Sequence, residues 1–280
     1  MGRVIDYNEL WKLSARSRHT ARDRDKIHGD LWDGLADHYD RSVKKNPQNT
    51  VRDLMQLDLN PDYTVLDIGA GNGRLSVPVA QEVKWITAVE PSSLMIRYLE
   101  KNMDGSGLEN FNCINSSWED APVPDDTGTY DVVLSAFALD FFDLEKALEK
   151  MDAAASEKVY IFWFAGRKHD DGLADYIRRA GDGNPEKNPG LPDYIYVLNI
   201  LHDMGIYADL SIEEYEWHYP YNNIEEAVSQ AVHHGKIDIE SRDLAFEYYG
   251  RILKDDNNGG LLLKTTADQA LISWEKQSRT

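Results

Sequence analysis

A chain of 280 residues with 42% hydrophobic content is long enough for one large core, or one core with a smaller attachment. Its net charge of −19 makes nucleic acid an unexpected partner, because attraction to phosphate backbones rests largely on Lys and Arg neutralising them. One cysteine, Cys113, excludes an internal disulfide, the start MGRVIDYNELWK lacks the apolar core of a signal peptide, and no apolar stretch approaches the ~20 residues of a membrane span. The expectation is a cytoplasmic protein with no membrane partner.

Residues 1–60 read as an N-terminal helical cap. DYNELWKLSARSRH, GDLWDGLADHYDRSVKK and PQNTVRDLMQLDL carry helical spacing, and the last opens on a proline suited to a first helical turn. Across residues 61–165 short apolar runs (YTVLDIG, KWITAVE, FNCIN, TYDVVLSAF, KVYIFWF) alternate with helical stretches (GRLSVPVAQE, SSLMIRYLEKN, LEKALEKMDAAAS), which argues for a parallel sheet covered by helices. Burial of both sheet faces explains why TVLDI is continuously apolar instead of alternating.

Residues 166–206 break that rhythm with the turn-rich GDGNPEKNPGLP between DDGLADYIRRA and DYIYVLNILHDM, and are expected to form a helical insertion or lid. Residues 207–280 are expected to complete the sheet. They hold a strand pattern in ADLSIEEYEWHYPY, helical pieces from Ile224, and two runs, LLLKTT and ALISWEK, which suggest a terminal hairpin around Ala267 to Gln269. No internal repeat is present.

Residues 65–73, VLDIGAGNG, carry the chemistry. Between a strand TVLDI and a helix GRLSVPVAQE, the glycines let bare backbone lie against a ligand, with amides at the helix start facing it. The nicotinamide fingerprint GxGxxG fails, since Arg74 stands where its third glycine is needed. What stands instead is DxGxGxG, from Asp67 through Gly69, Gly71 and Gly73. A second strand ends about 20 residues on in Glu90, where a carboxylate can accept both hydrogen bonds of a ribose diol.

On this acid, these glycines and the second acid, the sequence resembles the class I S-adenosylmethionine-dependent methyltransferases over roughly residues 35–165. The resemblance implies an α/β, Rossmann-like seven-stranded fold, mostly parallel, with an antiparallel last strand inserted beside the sixth. It implies S-adenosylmethionine as cofactor and S-adenosylhomocysteine as product. Asp67 would hold the methionine amino end, Gly69, Ala70, Gly71 and Gly73 would lie along the cofactor, and Glu90, followed by Pro91 and Ser92, would bind its ribose. CINSSWEDAPVPDD resembles the segment where one side chain pairs with the adenine amine and a neighbour covers the ring. Ser117 stands there in place of the usual Asp, followed by Trp118 and Glu119. TYDVVLSAFALDFF, with Ser135 and Phe137, resembles the fourth strand and the loop facing the transferring methyl group.

A sulfonium methyl group is already activated, so the main task is holding an acceptor lone pair in line with it. A hydroxyl or ammonium acceptor would also need a base within hydrogen-bond reach. Tyr39, His38 and His28 are the candidates, because in resembling enzymes the helix equivalent to LWDGLADHYDRS closes over the cofactor. No His, Cys or carboxylate set has metal-ligand spacing, and Cys113 reads as an inert buried thiol. The fourth strand ends in SAFALDFF, without the Asn or Asp, Pro-Pro and aromatic of enzymes that methylate exocyclic amines. With the aromatic supply of the cap and insertion, this favours a small-molecule acceptor in a covered pocket. The alternatives are a protein methyltransferase with a specific partner and a non-catalytic S-adenosylmethionine-binding regulator. Nothing in the sequence fixes an oligomeric state.

Overall fold

A computed structural model describes residues 5–18, 27–125, 127–166, 172–180, 193–233, 236–257 and 259–276. The His28 side chain, His169, His234 and the turn 181–192 lie outside the described residues.

Three helices, α1 (Tyr7–Arg18), α2 (Ile27–Lys45) and α3 (Pro47–Leu54), precede the sheet. There follow β1 (Thr64–Ile68), α4 (Ser76–Ala80), β2 (Trp85–Val89), α5 (Ser93–Gly105), β3 (Phe111–Ile114), β4 (Tyr130–Ala136), α6 (Leu144–Ala154) and β5 (Ala155–Phe164). The remainder is α7 (Leu173–Arg179), α8 (Tyr194–Asp203), β6 (Asp209–Tyr221), α9 (Ile224–His233), α10 (Arg242–Ile252), β7 (Lys254–Asp255) and β8 (Leu261–Glu275).

The main path of the sheet runs β3-β2-β1-β4-β5-β8-β6, and the two-residue β7 pairs with the start of β8. Strands β1 to β5 are mutually parallel, and β8 runs antiparallel to both of its neighbours. Alternation along each strand divides the core between two faces. Leu66, Ile68 and Val133 pack with α6 and α8, whereas Val65, Val132 and Leu134 pack on the other face with Val79 of α4 and Leu99 of α5. Each such fully buried side chain contributes ~1.5–3 kcal/mol.

Two regions differ from their sequence reading. Segment 166–206 is not one lid. Val197, Ile200 and Leu201 of α8 share one helix face and pack on the sheet with Trp163 and Trp274. Leu173 and Ile177 of α7 join a separate cluster with Ala227 and Val228 of α9 and Ala245 and Tyr249 of α10. The runs LLLKTT and ALISWEK are one strand, β8, because Ala267, Ala270 and Gln269 are buried where a turn would expose them. The chain reverses earlier, between β7 and β8, where Asn257 and Gly259 adopt positive φ of 63° and 85°.

Candidate functional site

The glycine loop follows β1 directly. Gly69 and Ala70 donate to the Val89 carbonyl at 2.8 and 3.2 Å, which ties the loop to the end of β2. The three glycines adopt φ of 70°, 56° and 83°, values that other residues rarely take. Their missing side chains serve different ends. A Cβ on Gly69 would stand 2.2 Å from the Ala138 Cβ, so the loop after β4 presses directly upon it. A Cβ on Gly73 would meet Leu99 and Val77 at 3.1 Å, so this glycine lets α5 pack closely. Of the three, Gly71 alone faces the helical cap, where a Cβ would lie 3.6 Å from the Tyr39 ring.

Asp67 and Glu90 are both nearly fully buried. Asp67 accepts a hydrogen bond from the Ser76 hydroxyl, and burial pushes its carboxyl up to about 6. Glu90 accepts from the Gly71 amide through Oε2 and from the Ser92 amide through Oε1, each at 2.9 Å. Burial outweighs those two hydrogen bonds, and with the charges of Asp67 and Asp33 it pushes Glu90 up to about 7. A carboxylate offers about four lone-pair sites, so both oxygens can still accept from a ligand.

Helix α2 lies over this loop and is held there at three places. Asp33 accepts from the Ser92 hydroxyl and the Leu94 amide at the start of α5. Asp40 accepts from Asn72 at 2.9 Å and from Asn102 at 3.3 Å, and Lys44 neutralises its other oxygen. Gly29 sits against the Pro91 carbonyl, where a Cβ would come to 3.1 Å. Ser92 itself caps α5 by accepting from the Met95 amide. Asn115 fixes the turn after β2 by donating to the Glu90 and Pro91 carbonyls.

Tyr39 and His38 are adjacent on α2 and therefore point to different sides. Tyr39 reaches the glycine loop, packs edge-on against Trp32, and lies beside Arg74, Glu90 and Asp67, with its phenol raised mainly by burial. His38 turns instead to β6, where it stacks on Tyr221 at 5.1 Å and on Tyr219 at 6.5 Å. Burial pushes its imidazole down to about 4, and its place against β6 takes it away from the glycine loop, where it was expected as a base.

One adenine-site expectation also needs correction. Trp118 is a core residue: 2% exposed, it donates from its indole to the Ala147 carbonyl and carries the Lys150 ammonium over its ring. No ring face is left for a base. Ser117 exchanges hydrogen bonds with Asp120 and closes a local turn, while Glu119 is exposed on that turn. Ser135 is buried and donates to the Ile68 carbonyl between strands. Phe137 adopts a positive φ of 59°, unusual for an aromatic residue, and packs on Phe164 and Tyr215 at the end of β4. Cys113 is a half-buried thiol pushed up to about 11 by burial.

Sequence reading missed one polar cluster altogether. Arg74 pairs with Asp53 of α3 at 2.6 Å, and the other Asp53 oxygen accepts from Arg52 at 2.7 Å and from Gln269 of β8 at 2.9 Å. In the sequence Arg74 showed only as the residue that breaks the dinucleotide fingerprint, and nothing in local spacing links it to Asp53 or Gln269.

The residues present fit S-adenosylmethionine: a buried acceptor at the end of β2, a glycine facing the cap, and the buried Asn72 Oδ1 and Arg74 Nη2 with no hydrogen-bond partner. Residues 65–157 match the methyltransferase domain family. An uncharacterized protein of Haemophilus influenzae is 32% identical over 187 residues, 66% of this chain and 66% of its own. The probable S-adenosylmethionine-dependent methyltransferase CRG1 of Saccharomyces cerevisiae is 27% identical over 131 residues, 45% of this chain and 44% of its own. The matched stretches thus span less than two thirds of either relative. The crystal structure of the YcgJ protein from Bacillus subtilis superposes with a TM-score of 0.53 at 16% identity, covering 82% of this chain and 99% of that one, and shares the fold. With its acid, glycines and second acid at the ends of β1 and β2, and with this strand order, residues 65–157 form a methyltransferase domain of the class I S-adenosylmethionine-dependent kind.

Proposed function

We propose that the protein transfers a methyl group from S-adenosylmethionine to a small-molecule acceptor by in-line displacement, with positioning as the main source of catalysis. The observation that carries the acceptor class is the tethered roof: α2 is fastened over the glycine loop through Asp33 and Asp40, with Tyr39 facing Gly71. A roof so held favours an enclosed, partly apolar site, which suits a small acceptor better than a polymer.

When bound, S-adenosylmethionine supplies a methyl group on a positively charged sulfur. The remaining work falls to the chain. Glu90 accepts from the ribose diol, Asp67 lies beneath the loop and fixes it through Ser76, and the Gly71 backbone gives close approach. Tyr39 and Phe137 exclude water from the transfer region and help to hold the acceptor at near-attack distance.

The test uses cofactor labelled on its methyl group, with a cell extract divided into dialysable metabolites, protein and RNA. Label entering the metabolite fraction, and lost in an Asp67→Ala, Glu90→Ala double variant, is the expected result. Label confined to protein or RNA would overturn the acceptor class. A folded wild-type protein that binds neither cofactor nor product in a calorimetric titration would overturn the reading itself.

A further inference from the structure

We propose that Arg74 and Tyr39 together receive a ligand carboxylate beneath α2. The inference deepens the reading above and rests on it for the identity of the cofactor.

Arg74 is 7% exposed, and its Nη2 is buried without a hydrogen-bond partner. A buried guanidinium donor left unpaired is rare and calls for an explanation. The usual arrangement is a two-pronged fork onto one carboxylate. Here the fork is prevented. Asp53 gives Oδ2 to Arg74 Nη1, but its Oδ1 is taken by Arg52 Nη2 and Gln269 Nε2. The other nearby carboxylate, Asp67, accepts from Ser76. The second prong of Arg74 is therefore held fixed with no carboxylate on it, and the Tyr39 hydroxyl is the polar group beside the guanidinium.

What surrounds it defines the ligand. The guanidinium stands 5.9 Å from the Phe137 ring centroid, and the Tyr39 hydroxyl lies beside it, on the side where Tyr39 covers Gly71. A guanidinium N–H and a phenolic O–H side by side match the two oxygens of a planar carboxylate, and Arg74 is charged at any working pH. Two ligands can bring such a group here: the cofactor, through its amino-acid arm, or the acceptor.

The test separates them. Wild type and Arg74→Gln are titrated calorimetrically with S-adenosylhomocysteine and with 5′-methylthioadenosine, which keeps the nucleoside and thioether but lacks the amino-acid arm. A cofactor carboxylate on Arg74 predicts that Arg74→Gln weakens S-adenosylhomocysteine by ~10- to 100-fold and leaves 5′-methylthioadenosine within about twofold. In a second arm, benzoate and its neutral counterpart benzamide are compared by saturation-transfer NMR, with and without S-adenosylhomocysteine. A preference for benzoate that Arg74→Gln abolishes assigns the carboxylate to the acceptor. Unchanged S-adenosylhomocysteine affinity together with no benzoate preference overturns the proposal. Wild type that binds neither nucleoside overturns the cofactor reading, and the benzoate arm without nucleoside then decides the carboxylate site alone. Asp53 keeps Arg52 and Gln269 in Arg74→Gln, which favours folding. Should that variant still fail to fold, Tyr39→Phe removes the second donor with little change of shape and is expected to weaken the same ligand ~3- to 10-fold.

Discussion

Arg74 Nη1 and Asp53 Oδ2 stand 2.6 Å apart, both residues buried, and the pair joins the glycine loop to α3. Through its other oxygen Asp53 also holds Arg52 and Gln269, so one carboxylate connects the cap, the ligand loop and the last strand. Removing its charge leaves Arg74 buried without a full counter-ion. Breaking one partner of a buried pair costs far more than the pair contributes over an apolar substitute. Asp53→Asn is therefore expected to lower unfolding stability by ~3–5 kcal/mol in urea titration. A loss below ~1 kcal/mol would mean that Arg74 finds other partners.

Trp118 gives a prediction of opposite kind. Because its indole is spent on the Ala147 carbonyl and the Lys150 ammonium, its role is packing and not ligand contact. Trp118→Ala should cost ~3–5 kcal/mol by opening a cavity. Trp118→Phe fills most of that space, and it should bind S-adenosylhomocysteine with an affinity unchanged within about twofold, an outcome that a base-stacking Trp118 would not give.

The fold was legible where local pattern and long-range topology agree. TVLDI and KWITAVE are apolar on both faces because they lie in the middle of the sheet, and Asp67 and Glu90 stand out because a carboxylate at a strand end has few structural reasons to be there. Trp118 was misplaced since an aromatic after β3 fits a core as well as a ligand, and only the position of α6 decides between them. His38 and Tyr39 differ by one residue, and the phase of α2 that separates them is set by packing on α5 and β6, which spacing alone does not fix. Arg74, Asp53 and Gln269 lie far apart in sequence and meet only once β8 is inserted beside β5.

Glu90, proposed above to accept from the cofactor ribose, is expected to make cofactor binding depend on pH. Its carboxyl stands at about 7 in the folded chain against an ordinary value of 4.5, so the folded state holds the proton more tightly than the unfolded chain does. The stability from this group is fully present below pH 4.5 and is lost as pH rises through 7, a drift of ~3 kcal/mol, and Asp67, at about 6, drifts in the same direction. Binding runs the other way. A ribose diol donates to the ionised carboxylate, so binding releases the Glu90 proton, and affinity should climb up to ~10-fold per pH unit towards pH 7 and level off above it. Calorimetric titration of S-adenosylhomocysteine at pH 6 and pH 8, in two buffers of different ionisation enthalpy, reads both the affinity change and the released proton. Glu90→Gln should bind weakly at both values and release no proton from this position. Equal wild-type affinity at pH 6 and pH 8 would remove Glu90 from the ribose.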